Sequence, residues 1–300
     1  MKRTSLLAVL ALLSASGCRA TATRVVANAV SSSETDVYAR DDDPELVRAA
    51  VPFGLKTMEG LLAEQPKHQG LLTVLASGFT QFSYAFVESD ADEAEMSGRS
   101  GQARALRDRA KKLFLRARDY GLRGLELRHE GLAAKLRGAR DLDAALAPLN
   151  KDDLPLVYWT AASWALAIGA AKEDMALVAE LPVPGALMRR ALAIDEMWDE
   201  GSIHEFFVTW EASQGGPDGL TRAREHFDRA VALSKGKKLG VFVSYAEAVS
   251  VARQDRAEFT RLLQQVIGAD PDADVRYRLA NVLAQRRAKL LLAHAEDLFA

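Results

Sequence analysis

The sequence predicts an all-α protein, and two observations carry that reading. The first is a spacing of small and aromatic residues: Ala110, Phe114 and Ala117 fall at intervals of four and three, so they share one helical face. The alanines let a neighbouring helix approach and the ring fills the gap between them. The second is that the device returns. Ala223, Phe227, Ala230 and Leu233 repeat it, and weaker echoes lie at 191–195, 259–271 and 61–66, the last ended by Pro66. The pattern implies an irregular, tetratricopeptide-like array of helical hairpins, roughly a dozen helices in all. Arrays of this kind offer surfaces for binding more often than sites for chemistry.

In chain order, residues 1–17 read as a leader. Lys2 and Arg3 form a basic start, and 6–13 an apolar run too short to span a bilayer. The run ends in Ala15-Ser16-Gly17-Cys18, which resembles the lipobox of bacterial lipoproteins, with Ala15 where Leu is commoner. Cys18 is the single cysteine, so no internal disulfide is available to it and lipidation is its natural use. Acyl chains at about 0.8 kcal/mol per buried methylene would hold such a protein on a membrane. Arg19 stands where Asp would favour retention at an inner membrane, so an outer-membrane anchor in the periplasm is the expectation. Residues 18–40, rich in Ala, Ser, Thr and Val, read as a lipidated start and tether reaching about 25 Å on average.

The body, 41–300, is long enough for one helical domain with a substantial core. Loss of Lys2 and Arg3 with the leader takes the formal charge from −2 to −4. That balance gives no attraction for nucleic acid or anionic lipid. Asp43 is placed as the cap of the first helix, with Pro44 in its first turn. Three adjacent aspartates, 41–43, point in different directions and so make a helix start rather than a metal site. Pro52 is expected to kink or interrupt this helix, which resumes over 53–65. The next helix, 70–90, carries Phe79, Phe82 and Phe86 on one face, as core or as the wall of an apolar pocket. Residues 88–101 read as an acidic loop before a long helix over 102–128.

A helix opening near Leu154 holds Tyr158, Trp159 and Trp164 among Ala, Gly and Ser. Trp159 and Trp164, five apart, face different ways, which implies enclosure on more than one side, by close packing or around a cavity. His204-Glu205 invites comparison with the zinc-protease motif and departs from it, because Val208 stands where the second ligand belongs. No phosphate loop, nucleophile elbow or Cys-His pairing appears, so no catalytic residues, metal or cofactor are assigned. The last third gives helices over 221–233, 241–254 and 256–267, with a long closing helix over 274–299. On that helix Asn281 and Gln285 share a face, as a solvated polar stripe or as the lining of a groove.

Several segments taken together, in order, resemble a known family. They are Pro44-Glu-Leu-Val, Pro52-Phe53-Gly-Leu-Lys56-Thr-Met-Glu59, Ser77-Gly78-Phe79 with Tyr84-Ala-Phe86, and Arg116-Ala117-Arg118-Asp119-Tyr120-Gly121. Tyr158-Trp159-Thr160-Ala-Ala-Ser163-Trp164, Gly201-Ser-Ile-His204 and Asn281-Val-Leu-Ala-Gln285-Arg286-Arg287-Ala288 follow. The run is similar to the TRAP transporter T-component family and covers nearly the whole mature chain. The resemblance implies an all-helical periplasmic lipoprotein that associates with the solute-binding P-component of a tripartite ATP-independent transporter. It further implies a homo-oligomer, a trimer being the working number, that helps to handle an apolar organic ligand. It implies no catalytic residues. The candidates for ligand, pore or partner contact are then Phe79, Phe82, Phe86, Tyr158, Trp159, Trp164, His204, Asn281 and Gln285. A different class of function fits the same residues: a general envelope adaptor for outer-membrane assembly partners that binds no solute. An enzyme acting on envelope polymers is the least supported, since spacing assembles no acid/base pair.

Overall fold

The computed structural model describes residues 37–299; Cys18, the leader and most of the tether lie outside the described residues. Among the described residues every regular element is helical, as the spacing predicts. Helix α1 (Pro44–Glu64) starts as expected: Asp43 Oδ1 accepts from the backbone N–H of Glu45 at 3.0 Å and of Leu46 at 3.1 Å, and Pro44 occupies the first turn. Pro52 does not interrupt it. Val47 before the proline and Leu55 and Met58 after it are all buried in the same core, which holds both halves of the helix in line despite the missing N–H.

Helix α2 (Gln69–Phe82) runs into a π-helical segment, Ser83–Glu88, and then directly into α3 (Ser89–Met96). The expected loop over 88–101 is therefore mostly helix. Ala91 and Ala94, fully buried, give α3 a packed face. Its acids find partners outside it: Asp90 takes Arg48 at 2.6 Å, and Arg107 bridges Glu95 at 2.8 Å and Asp92 at 3.4 Å. By length and composition 69–96 would suit a bilayer, but here it packs on α1 and on α4 (Ser100–Glu126).

Helix α4 is the axis of the first half. Ala103, Ala110, Phe114, Ala117, Gly121 and Gly124 form its buried stripe and meet α2 on one side and α7 (Leu154–Gly169) on the other. The contact with α7 is close. A Cβ on Gly121 would stand 2.1 Å from Thr160 Oγ1, and one on Gly124 would stand 2.7 Å from the Leu156 side chain. Short helices α5 (Leu132–Arg137) and α6 (Leu142–Leu146) link α4 to α7, and α8 (Met175–Val178) links α7 to α9 (Pro182–Ile194).

The second half holds α10 (Ser202–Ser213) against α11 (Gly216–Ser234). Helix α12 (Gly240–Tyr245) runs into a second π-helical segment, Ala246–Ser250, and α13 (Arg256–Gly268) and α14 (Arg278–Ala293) follow. The closing helix is shorter than expected. Asp274 caps a single 3-10 turn, Val275–Tyr277, before α14 begins, and Ala295–Asp297 forms another after it ends.

Two hydrophobic cores result. One gathers buried residues from Val47 to Phe207, the other from Val208 to Ala295, and the boundary falls inside α10. Helix α14 ties the ends of the chain together. Leu279 and Leu283 pack on the first core, and Arg286 pairs with Glu45 of α1 at 2.9 Å. Helix α14 thus makes contact with both cores.

Candidate functional site: a chamber between two cores

Tyr84 marks an internal space. It is a large side chain with 55% of its surface accessible, yet loss of water contact is the main force on its hydroxyl, raising its pKa well above the usual phenol range. Accessible area and desolvation agree on only one kind of place, the wall of an internal space surrounded by protein. Charges from four separate elements act on the same hydroxyl: Glu88 from the first π segment, Glu205 from α10, Glu247 from the second π segment, and Arg287 from α14. Residues from both halves of the chain therefore converge on one chamber.

The backbone shapes the wall. Both π-helical segments contribute to it, Tyr84 and Glu88 from one and Glu247 from the other. Their wider i→i+5 turns place side chains out of the register of the helices they interrupt, as such turns often do at functional sites. Tyr158 of α7 stands deeper, its hydroxyl also pushed up by burial, within the field of Glu205 and Asp199. Its ring lies 4.5 Å from that of Trp198 and 5.0 Å from that of Trp159.

Trp198 opens a strained turn in which Asp199, Glu200 and Gly201 are left-handed in succession, at φ 45°, 48° and 98°. Only the glycine adopts this freely. The other two are held by side-chain pairs: Lys238 reaches Asp199 Oδ2 at 2.8 Å and Ser202 Oγ at 2.7 Å, and Arg276 reaches Glu200 at 2.7 Å.

The charged groups of the chamber fall into two sets. Arg287 is tied to Glu247, by Nε at 3.1 Å, and to Asp92 at 3.0 Å, and Lys238 is tied to Asp199. Lys238 is satisfied, whereas Arg287 Nη1 is buried without a partner. Glu88 and Glu205 have no hydrogen-bond or ion-pair partner among the described residues, and Glu88 Oε2 is wholly buried without one. Burial pushes the Glu88 carboxyl up to about 8, with Asp92 adding to the shift, and raises that of Glu205 as well.

The sequence candidates divide on this map. Tyr158 lines the chamber, and Trp159 stands beside it, half-buried. Phe79, Phe82 and Phe86 are buried in the first core, where Phe79 stacks on Tyr120 with ring centres 6.0 Å apart and Arg48 covers Phe86. Trp164 is fully buried; its Nε1 donates to Glu180 Oε2 at 2.7 Å, and Arg118 lies over its ring. Asn281 Oδ1 accepts from the Leu239 N–H at 3.0 Å, its Nδ2 donates to the Lys237 carbonyl at 3.0 Å, and Gln285 Nε2 donates to the Ala269 carbonyl at 2.8 Å. These two amides join α14 to neighbouring loops rather than to the chamber.

His204 is buried with its Nδ1 2.8 Å from that of His226 and its Nε2 3.4 Å from Glu196. Desolvation lowers both rings, His226 to about 4. His226 stacks on Phe207, and the two histidines belong to the packing of α10 on α11. No group of three metal-ligating side chains occurs among the described residues. The part-buried contact of His129 with Asp153 at 3.0 Å belongs to the cap that opens α7.

Tyr84, Glu88, Glu205, Glu247 and Arg287 are not among the sequence candidates, although Tyr84 and Arg287 fall in the family-like segments and Glu205 follows His204. A faint signal was present: Tyr84 and Glu88 are a polar pair four apart inside an otherwise apolar stretch. A shallow groove of about 650 Å³ also runs along α11 near Gly215, Pro217 and Arg253, but it is open to solvent and lacks enclosed polar groups.

The family is settled by comparison: the family model for the TRAP transporter T-component matches residues 40–299. The chain belongs to the TRAP transporter T-component family. The match takes in every helix from α1 to α14, so both cores lie inside the family domain. Among curated proteins, one from Treponema pallidum (strain Nichols), bearing only the description of an uncharacterized protein, is 26% identical over 271 residues, covering 88% of this chain and 83% of its own length. Membership makes this a TRAP transporter-associated protein, of a family attached to transport rather than to catalysis, and points to the cell envelope.

Proposed function

We propose that this protein is a lipid-anchored periplasmic component of a TRAP-type transport system, docking the solute-binding P-component and holding an organic solute in the chamber between its two cores. The observation that carries the proposal is Tyr84, accessible yet surrounded, with groups from α7, α10 and α14 around the same space. An enclosed space with aromatic walls and a few convergent polar groups is the usual form of a small-molecule site. Family membership supports the transport context. The lipobox-like run ending in Cys18 and the tether after it support anchoring at the outer membrane, with the body held off the surface. Assembly as a homo-oligomer is part of the same proposal.

Co-purification from detergent-solubilised envelope, followed by native mass spectrometry, tests it. The expected result is a P-component in the complex and a retained small molecule, the latter lost in Tyr84→Trp, which fills the chamber. Recovery of outer-membrane assembly subunits alone, from both proteins, would favour an adaptor that carries no solute. For the anchor, Cys18→Ser should leave the protein soluble or with its leader uncleaved; normal processing and unchanged membrane fractionation would contradict it.

A further inference from the structure

We infer that the contact between His204 and His226 is an acid-released latch between α10 and α11, closed by one proton shared between the two Nδ1 atoms and opened when each carries its own. The inference stands apart from the solute reading and concerns how the fold responds to protons.

The latch lies where the two cores meet. Ile203 and Phe207 of α10 belong to the first core; Val208 of the same helix, with Ala223, Phe227 and Ala230 of α11, belongs to the second. His226 of α11 stacks on Phe207, ring centres 4.8 Å apart and planes 21° from parallel, so a helix of the second core touches an aromatic residue of the first. His204 meets it Nδ1 to Nδ1 at 2.8 Å, with ring centres 5.0 Å apart.

Proton counting decides how that contact behaves. Two ring nitrogens at 2.8 Å are held together by one proton, donated by one ring and accepted by the lone pair of the other. Glu196 Oε2, 3.4 Å from His204 Nε2, acts as an acceptor, so His204 carries its proton on Nε2 and His226 donates at Nδ1. One added proton fits on His226 Nε2 with the shared proton in place. A second puts hydrogen on both Nδ1 atoms, and the contact becomes a repulsion between two donors and two imidazolium charges.

The surroundings do not offset those charges. Glu196, beside His204, is paired with Arg229 of α11, whose Nε lies at 3.1 Å. Glu211 of α10, on the His226 side, is paired with Arg222 of α11 at 2.5 Å. Each carboxylate that could stabilise an imidazolium is already matched by a guanidinium. These four groups supply the field at the two rings; α9, α12 and the second π segment, which pack on the same helices, add none among the described residues. Desolvation prevails and holds both rings below the ordinary histidine range, so the latch is closed at neutral pH. The stability it gives is present above the ordinary 6.5 and is lost as pH falls toward about 4.

The test uses the full-length protein in detergent, with nitrogen-15-labelled histidine for imidazole NMR and with amide hydrogen exchange corrected for the intrinsic rate at each pH. At neutral pH one ring of the pair should be protonated at Nδ1 and the other at Nε2. Between pH 6.5 and 4 the corrected exchange of α10 and α11 should rise by about tenfold or more, the equivalent of one pKa unit, with α4 and α7 unchanged. In His226→Asn, whose amide takes the place of Nδ1 and can donate or accept without titrating, that rise should be absent. A rise of the same size in the variant, no rise in the unaltered protein, or both rings fully protonated while α10 and α11 stay protected would overturn the inference. Should His226→Asn fail to fold, the neutral-pH spectra decide: the two rings in the same tautomer would overturn it, and one of each supports it.

Discussion

The surroundings of Trp164 and those of Tyr84 are both enclosed, aromatic and partly charged, yet they treat their polar groups in opposite ways. Around Trp164 the groups satisfy one another: the indole N–H donates to Glu180, and Arg118 pairs with Glu180 at 3.2 Å and with Asp119 at 3.1 Å while covering the ring. Around Tyr84, Glu88 and Glu205 are left without partners, and the ring itself stays accessible. A set of enclosed groups that is complete by itself serves stability. One that is incomplete has its missing partner elsewhere, and here that partner is read as the solute.

The largest effect should come from breaking the complete set. Trp164→Ala removes a fully buried ring and is expected to cost about 3–5 kcal/mol in urea unfolding, with solute affinity of the folded fraction unchanged. Loss of affinity at full stability would reverse the contrast and make Trp164 the binding residue. Glu180→Gln, which weakens the partner shared by Trp164 and Arg118, should cost about 1–3 kcal/mol in the same assay. A similar loss, about 1–3 kcal/mol, is expected for Gly121→Ala. The added methyl would meet Thr160 Oγ1 at 2.1 Å and push α4 from α7, outweighing the gain in helix propensity.

The smallest effect belongs to the incomplete set and has the opposite sign. The Glu88 carboxyl sits at about 8 in the folded protein, against an ordinary 4.5. Across that window the folded state keeps a proton that the unfolded chain has lost, so this group's contribution to stability falls as pH rises from about 4.5 to 8. Glu88→Gln should flatten that part of the profile. His226 works the other way: its ring, lowered to about 4, costs stability as pH falls from 6.5 toward 4. Thermal melts of Glu88→Gln across the range separate the two. An unchanged slope above pH 6.5 would show that Glu88 is not enclosed.

The parts of the molecule governed by local spacing could be read in the chain. The Ala110-Phe114-Ala117 stripe is the buried face of α4, Asp43 caps α1, and the ordered segments from Pro44 to Ala288 pointed to the family that the comparison shows. What spacing could not show was set by tertiary contact. Pro52 passes through α1 because both flanks are buried together, and Ala91 with Ala94 turns an acidic stretch into a helix. The two π segments leave no mark in the order of residues: Phe79, Phe82 and Phe86 read as one uninterrupted stripe although a π turn separates them. The chamber was hidden for the same reason. Glu205, Glu247 and Arg287 look like ordinary exterior charges until α10, the second π segment and α14 bring them round Tyr84. Trp164, conspicuous in the sequence, is packed.

An electron-density map of the protein purified from its own envelope tests the central claim most directly. The account predicts ordered density larger than water between Tyr84 and Tyr158, in contact with Glu205. A space closed by the side chains themselves, with Glu88 and Glu205 paired to protein groups, would contradict it.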